Sequence, residues 1–171
     1  MMLSNCSRRT RRQAGFTLIE LLIVISVIVI IMLMVIPSAT NIIMRANETS
    51  AINSLKRLQG AEISYQSTFP SYGYACSLAA LGGDPKSGPP TPQAGQVLSG
   101  PITTGQLSGY TFSIVNCTKI TVNNQDQFTG FELTAVPQKV GQTGHRGFCM
   151  DVYGDIKSDP AGGTNCTQAI Q

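Results

Sequence analysis

Residues 15–36 read GFTLIELLIVISVIVIIMLMVI, and this stretch decides how the rest of the chain is organised. From Phe16 to Ile36 the only polar residues are Thr17, Glu20 and Ser26. As a helix these residues would extend about 31 Å at ~1.5 Å per residue, close to the hydrocarbon thickness of a bilayer. A helix also satisfies its own backbone hydrogen bonds in lipid. The run therefore predicts a membrane-spanning helix with one carboxylate near its start.

Charge is distributed unevenly around this run. Four Arg residues and no acidic residue precede Gly15, whereas eight basic and all nine acidic side chains follow it. Basic residues beside an apolar span stay in the cytoplasm, so we expect the remainder of the chain to lie outside. The net charge of +3 comes from this short tail and does not support nucleic-acid binding. A secretory signal cleaved near residues 38–40 is the alternative, but its apolar core would be shorter.

A second helical pattern follows the apolar run. Pro37 removes a backbone donor and should kink or loosen the helix at that point. Apolar residues then recur at helical spacing, at Ala51, Leu55, Leu58 and Tyr65, with polar residues between them. This spacing predicts an amphipathic helix that reaches roughly Gln66.

The C-terminal half has the pattern of a small sheet. Residues 82–105 hold many Gly and Pro and predict an exposed, variable loop. Alternating apolar and polar residues predict strands at Tyr110–Val115, Phe131–Val136 and Gly147–Val152, and a short fourth strand around Ile156. Short antiparallel strands need an apolar partner, which the amphipathic helix supplies. We therefore predict an α+β fold in which a long N-terminal helix packs on a small antiparallel sheet.

The cysteines divide in the same way as the charges. Cys6 lies in the basic tail, and four more follow the apolar run: Cys76, Cys117, Cys149 and Cys166. Outside the cytoplasm these four would form two disulfides. Four cysteines allow three connectivities that sequence alone does not separate; we favour the pairs Cys76–Cys117 and Cys149–Cys166. The sequence offers few metal ligands, because no CxxC spacing occurs and His145 is the single histidine.

The hexapeptide Gly15-Phe-Thr-Leu-Ile-Glu20 stands after Arg11-Arg12-Gln-Ala and opens the apolar run. This arrangement resembles the N-terminal signal of type IV prepilins and type II secretion pseudopilins. The resemblance implies that a prepilin peptidase cuts after Gly15 and methylates the new amine of Phe16. It also implies that Glu20 pairs with the amine of a neighbouring subunit, and that Pro37 marks a stretch that unwinds in a filament. The residues alone allow two simpler interpretations: Glu20 snorkels to the interface, and Pro37 is an ordinary kink.

The same resemblance implies a division of the chain and a set of partners. A leader of residues 1–15 would be removed, residues 16–40 would form the transmembrane and filament-core helix, and residues 41–171 would form the head outside the cytoplasm. The function implied is a structural subunit of a type IV pilus, which is not an enzyme and needs no cofactor. Its partners would be copies of itself, other pilins, the peptidase and an inner-membrane assembly platform. It would be stored in the bacterial inner membrane and then enter a surface pilus or a periplasmic pseudopilus.

Several alternatives remain at this point. The chain could be a type II secretion pseudopilin, a minor pilin, or a binding or enzymatic domain that uses the apolar run only as an anchor. A weak calcium candidate bears on the first, since Asp151, Asp155 and Asp159 lie four residues apart. Clustered carboxylates hold Ca²⁺ in the major pseudopilins, but Asp is also an ordinary turn residue.

Overall fold

The computed structural model describes residues 15–170, apart from the side chains of residues 34–38. The predicted leader, including Cys6, lies almost entirely outside this range. Contacts divide the chain into two compact units between Ala39 and Thr40. Helix α1, Leu18–Thr68, begins in the first unit and ends in the second. Pro37 lies within α1, and the kink expected there stays a prediction.

The first unit consists of residues 15–17 and the beginning of α1. Among the residues whose side chains are described, no helix combines the length and the apolar character needed to cross a membrane. The large apolar side chains from Phe16 to Leu33 are between 46% and 86% exposed. This part of α1 therefore carries a continuous, exposed apolar surface.

In the second unit α1 supplies one side of the hydrophobic core. The four apolar residues whose spacing predicts an amphipathic helix are all buried: Ala51, Leu55, Leu58 and Tyr65. The helix ends at Thr68, shortly before Pro70, which has no backbone N–H with which to continue it. The predicted end near Gln66 is thus within two residues of the observed one.

The other side of the core is one antiparallel sheet of six strands, which lie in sequence order. The strands are β1 Gln106–Leu107, β2 Tyr110–Val122, β3 Gln125–Pro137, β4 Gly147–Asp151, β5 Ile156–Asp159 and β6 Gln168–Ala169. Leu133, Phe148 and Met150 point from this sheet into the core against α1 residues such as Leu55. The observed architecture is the predicted α+β arrangement of a long N-terminal helix and a small antiparallel sheet.

The hairpin of β2 and β3 is longer than the sequence pattern predicts. Val122 pairs with Gln125 across a two-residue turn, in which Asn123 and Asn124 both have positive φ, 52° and 61°. Asn tolerates this left-handed conformation, which such tight hairpin turns require. The hairpin residues near this turn are mostly exposed and lack strict apolar alternation. The predicted strands Tyr110–Val115 and Phe131–Val136 therefore lack the residues of β2 and β3 that lie next to the turn.

The segment expected to be an exposed loop is partly buried, and that prediction is wrong for its five buried residues: Gly82, Gly95, Leu98, Ile102 and Gly105. Leu98 and Ile102 belong to the core cluster. The short helix α2, Leu78–Leu81, fixes this segment because the backbone N–H groups of Val97 and Leu98 both donate to the Leu81 carbonyl, at 3.0 and 2.9 Å. Two short 3-10 turns, Pro85–Ser87 and Pro101–Thr104, also lie within it. The Gly-rich and Pro-rich segment therefore forms a partly buried connection between α2 and β1.

Candidate functional site

The peptide bond between Gly15 and Phe16 lies in an open, irregular segment. Residues 15–17 have no regular secondary structure, and α1 begins at the next residue. Phe16 is 86% exposed, and a Cβ added to Gly15 would meet nothing within 4 Å. Nothing within the described chain therefore requires glycine at position 15. Its missing side chain leaves the backbone accessible to another molecule.

Glu20 is held at the start of α1 by a reciprocal cap with Thr17. The Glu20 carboxylate oxygen Oε2 accepts hydrogen bonds from the Thr17 backbone N–H at 3.1 Å and from its hydroxyl at 2.9 Å. In return the Thr17 hydroxyl accepts from the Glu20 backbone N–H at 3.2 Å. This is a capping box, which occupies backbone donors that a helix start leaves without partners. A Thr-x-x-Glu pattern before an apolar run signals this cap, although it is not among the features predicted from the sequence above.

The cap holds a carboxylate four residues after Phe16, close in sequence to the Gly15–Phe16 bond. A carboxylate accepts up to about four hydrogen bonds, and both bonds from Thr17 end on the same oxygen. Glu20 therefore has the capacity to bind a cation while it caps its own helix. The apolar surface that follows needs a cover, either lipid or other protein, because an exposed patch of this extent marks a contact surface.

Two disulfides tie distant segments of the head together. Cys76, just before α2, bonds to Cys117 of β2, and Cys149 of β4 bonds to Cys166 near the C-terminus. Of the three possible connectivities, this is the one favoured from the sequence. The first bond closes a sequence separation of 41 residues and the second one of 17.

Two of the three aspartates proposed as a weak calcium site accept hydrogen bonds within their own turns. Asp151 accepts the backbone N–H of Tyr153 at 2.9 Å and of Asp155 at 3.0 Å. Asp159 accepts the backbone N–H of Ala161 at 2.9 Å and of Asn165 at 3.0 Å. In the described part of the chain, no group of three or more His, Cys, Asp or Glu residues is placed to hold a metal ion.

Two glutamates on the core side of α1 were not singled out by sequence. Glu62 is fully buried, and its Oε2 accepts the Ala75 backbone N–H at 2.7 Å. Burial raises its pKa to about 8, although the hydrogen bond from Ala75 opposes the shift. Glu48 accepts backbone and guanidinium donors of Arg146. Burial by itself raises the pKa of Glu48, but the hydrogen bonds from Arg146 and His145 outweigh it and lower the pKa overall.

The comparisons with known proteins place the N-terminal segment in a defined class. A family model described as the prokaryotic N-terminal methylation motif matches residues 10–36, which are 27 of the 171 residues. Neither the curated proteins nor the solved structures give a match to the chain. The match covers the Gly15–Phe16 bond, the Thr17–Glu20 cap and the apolar surface of α1.

Proposed function

We propose that this chain, which carries the prepilin-type methylation motif of type IV pilins and pseudopilins over residues 10–36, is a structural subunit of a type IV pilus. In this proposal the subunit is stored in the inner membrane, with its N-terminus in the cytoplasm and its head outside. The observation that carries the proposal is one contiguous arrangement. An accessible Gly15–Phe16 bond, a capped Glu20 and an exposed apolar helix follow one another within that motif.

The processing step follows from this arrangement. A prepilin peptidase hydrolyses the Gly15–Phe16 bond, removes residues 1–15 and methylates the amine of Phe16. The apolar helix stays with the product, so the subunit remains in the membrane after cleavage. The new amine is a cation at the end of a helix that Glu20 already caps. No catalytic step is assigned to this chain itself.

Assembly follows from the charge of Glu20. A carboxylate inside a bilayer or an apolar filament core is costly unless a cation pairs with it. The amine of Phe16 from a neighbouring copy supplies that cation, and the short range of such a pair favours one axial register between copies. Burial of the apolar side chains against other copies then replaces lipid contact. Pro37 is proposed as the position where α1 loosens when the subunit leaves the membrane.

The direct test is the intact mass of this protein in filaments sheared from its native cells. We expect a chain that begins at methylated Phe16 and contains two disulfides. A methylated chain confined to the envelope would instead favour a type II secretion pseudopilin. A chain in the envelope that still carries its leader would favour a membrane-anchored binding domain and refute the pilus proposal.

The capping box allows the role of the Glu20 charge to be separated from its role in the helix. Glu20→Gln keeps a residue that serves in a capping box but removes the charge. Thr17→Val removes the hydroxyl and keeps the charge. We expect Glu20→Gln to be cleaved normally but to enter filaments poorly, whereas Thr17→Val enters them. Cleavage is read by mass, and incorporation by the amount in sheared filaments when the variant is the only pilin. The opposite result would assign Glu20 to helix capping alone.

A further inference from the structure

A cationic pocket lies beside α1 in the second unit of the chain. It has a volume of about 500 Å³ and is lined by Arg45, Glu48, Thr49, Ile52, His145 and Arg146. Its lining therefore combines two guanidinium groups and the single imidazole of the sequence with one carboxylate. The proposed pilin function does not use this pocket.

Both oxygens of the Glu48 carboxylate accept hydrogen bonds from other groups of the protein. Oε1 of Glu48 accepts the backbone N–H groups of His145 and Arg146 at 3.0 and 3.2 Å. Oε2 accepts Nε and Nη2 of Arg146 at 3.0 and 2.8 Å. The Glu48 side chain is only 8% exposed, whereas that of Arg146 is 43% exposed. The Glu48 side chain is thus buried, whereas the Arg146 guanidinium group is accessible from the pocket opening.

The donors that remain suit an anion. A guanidinium group has five N–H donors, and Glu48 occupies two sites on Arg146. Arg45 is exposed on α1, three residues before Glu48. Thr49 donates its hydroxyl to the Arg45 carbonyl at 3.0 Å, so that hydroxyl proton is engaged within the helix. Two guanidinium groups around one opening match the planar, bidentate recognition of phosphate oxygens.

The chain connects this pocket closely to the apolar run. Arg45 is the first charged residue after Glu20 and follows Ile36 by nine residues. Helical side chains lean toward the N-terminus of their helix, so the Arg45 side chain leans toward the residues that precede it in α1. Ile42 and Ile43, just before it, are exposed. Exposed apolar residues followed by a basic residue are typical of the lipid interface.

We propose that this pocket binds the phosphate group of an anionic lipid headgroup in the outer leaflet of the inner membrane. The inference rests on the proposed storage of the subunit in that membrane. Bound lipid would hold the membrane-proximal end of the head at the bilayer surface until the subunit is extracted. An acidic group on a second copy would meet the same donors, but the short chain connection to the apolar run favours lipid.

The test uses the full chain in lipid nanodiscs of two compositions, phosphatidylcholine alone and phosphatidylcholine with phosphatidylglycerol. Lipid retained by the protein is counted by native mass spectrometry. We expect selective retention of phosphatidylglycerol, weakened about tenfold in Arg45→Gln, the loss expected for a hydrogen bond to a charged group. Lys139→Gln, which removes an exposed charge outside the pocket, is the matched control and should retain lipid as the unmodified chain does.

The remaining outcomes distinguish failure of the lipid site from failure of the proposed membrane storage. An inserted chain without preference for phosphatidylglycerol, or equal losses in Arg45→Gln and Lys139→Gln, would refute the lipid site and leave membrane storage standing. A chain that fails to insert in either composition would refute membrane storage and the lipid site together. If inorganic phosphate shifts the NMR resonances of His145 equally in both nanodiscs, the pocket is a site for soluble phosphate and the lipid assignment is wrong.

Discussion

The head should lose stability as the pH rises through neutrality, because of a single buried carboxyl group. Glu62 is 0% exposed, and in the described chain its Oε1 has no hydrogen-bond partner. Its Oε2 accepts only the Ala75 backbone N–H, at 2.7 Å. Burial raises the pKa of Glu62 from the ordinary value of 4.5 to about 8, against the opposing effect of that hydrogen bond. Its neutral form is therefore the form that fits the core.

The sign and size of the effect follow from linkage. Between pH 4.5 and pH 8 the native state holds a proton that the unfolded state has lost, so the free energy of unfolding decreases as the pH rises. One pKa unit corresponds to about 1.4 kcal/mol, so the stability lost between pH 5 and pH 8 is about 3 kcal/mol. This is a large part of the 5–15 kcal/mol that typically stabilises a domain.

The assay is denaturant unfolding of the full chain in detergent micelles at several pH values, followed by tyrosine signals of the head. Glu62→Gln removes the titration while its amide oxygen still accepts from Ala75. We expect the variant to resemble the unmodified chain at pH 5 and to be more stable by about 3 kcal/mol at pH 8. Glu132→Gln, at a half-buried position on β3, is the matched control and should keep the slope. An unchanged slope in Glu62→Gln would show that the Glu62 carboxyl group does not cause the loss of stability.

Three further variants probe the contacts that hold the head together. Glu48→Ala leaves the Arg146 guanidinium group and two backbone N–H groups without their acceptor, so we expect a loss of about 2 kcal/mol in the free energy of unfolding, measured by denaturant titration at pH 7. Replacing Cys76 and Cys117 by serine should cost about 4 kcal/mol, and replacing Cys149 and Cys166 about 3 kcal/mol, because the first bond closes the longer loop. Equal losses in the two double variants would contradict the loop-length argument.

Several features of the fold and of the candidate site can be predicted from the sequence because they depend on residues that are close together in the chain. The apolar run, the basic tail and the Gly15 hexapeptide predict the motif that the family model matches. The spacing of Leu55 and Leu58 predicts the buried face of α1, since that face repeats with the helical period. The strand periodicity predicts the positions of the central strands, although it misses the exposed end of the β2–β3 hairpin.

Other features depend on which segments meet in space, and local pattern does not predict them. Leu98 and Ile102 are buried because α2 holds their segment, and nothing in a Gly-rich and Pro-rich stretch indicates that contact. Glu48 and Glu62 lie 14 residues apart, at positions where the buried face of α1 continues. An acidic residue where the helical period predicts an apolar one indicates a buried carboxyl group, and this can be recognised from the sequence. Its partners, Arg146 and Ala75, become visible only in the fold.

The two buried glutamates have opposite consequences for stability. Glu62 weakens the head increasingly as the pH rises from 4.5 toward 8. The lowered pKa of Glu48 means that its contribution is present above 4.5 and is lost as the pH falls below that value. Each glutamate also holds a segment next to a disulfide, Ala75 beside Cys76 and Arg146 three residues before Cys149. Because a hydrogen bond to an ionised acceptor is the stronger one, ionisation strengthens both of these contacts. For Glu62 the cost of burying the charge is larger, so the head still loses stability as the pH rises toward 8.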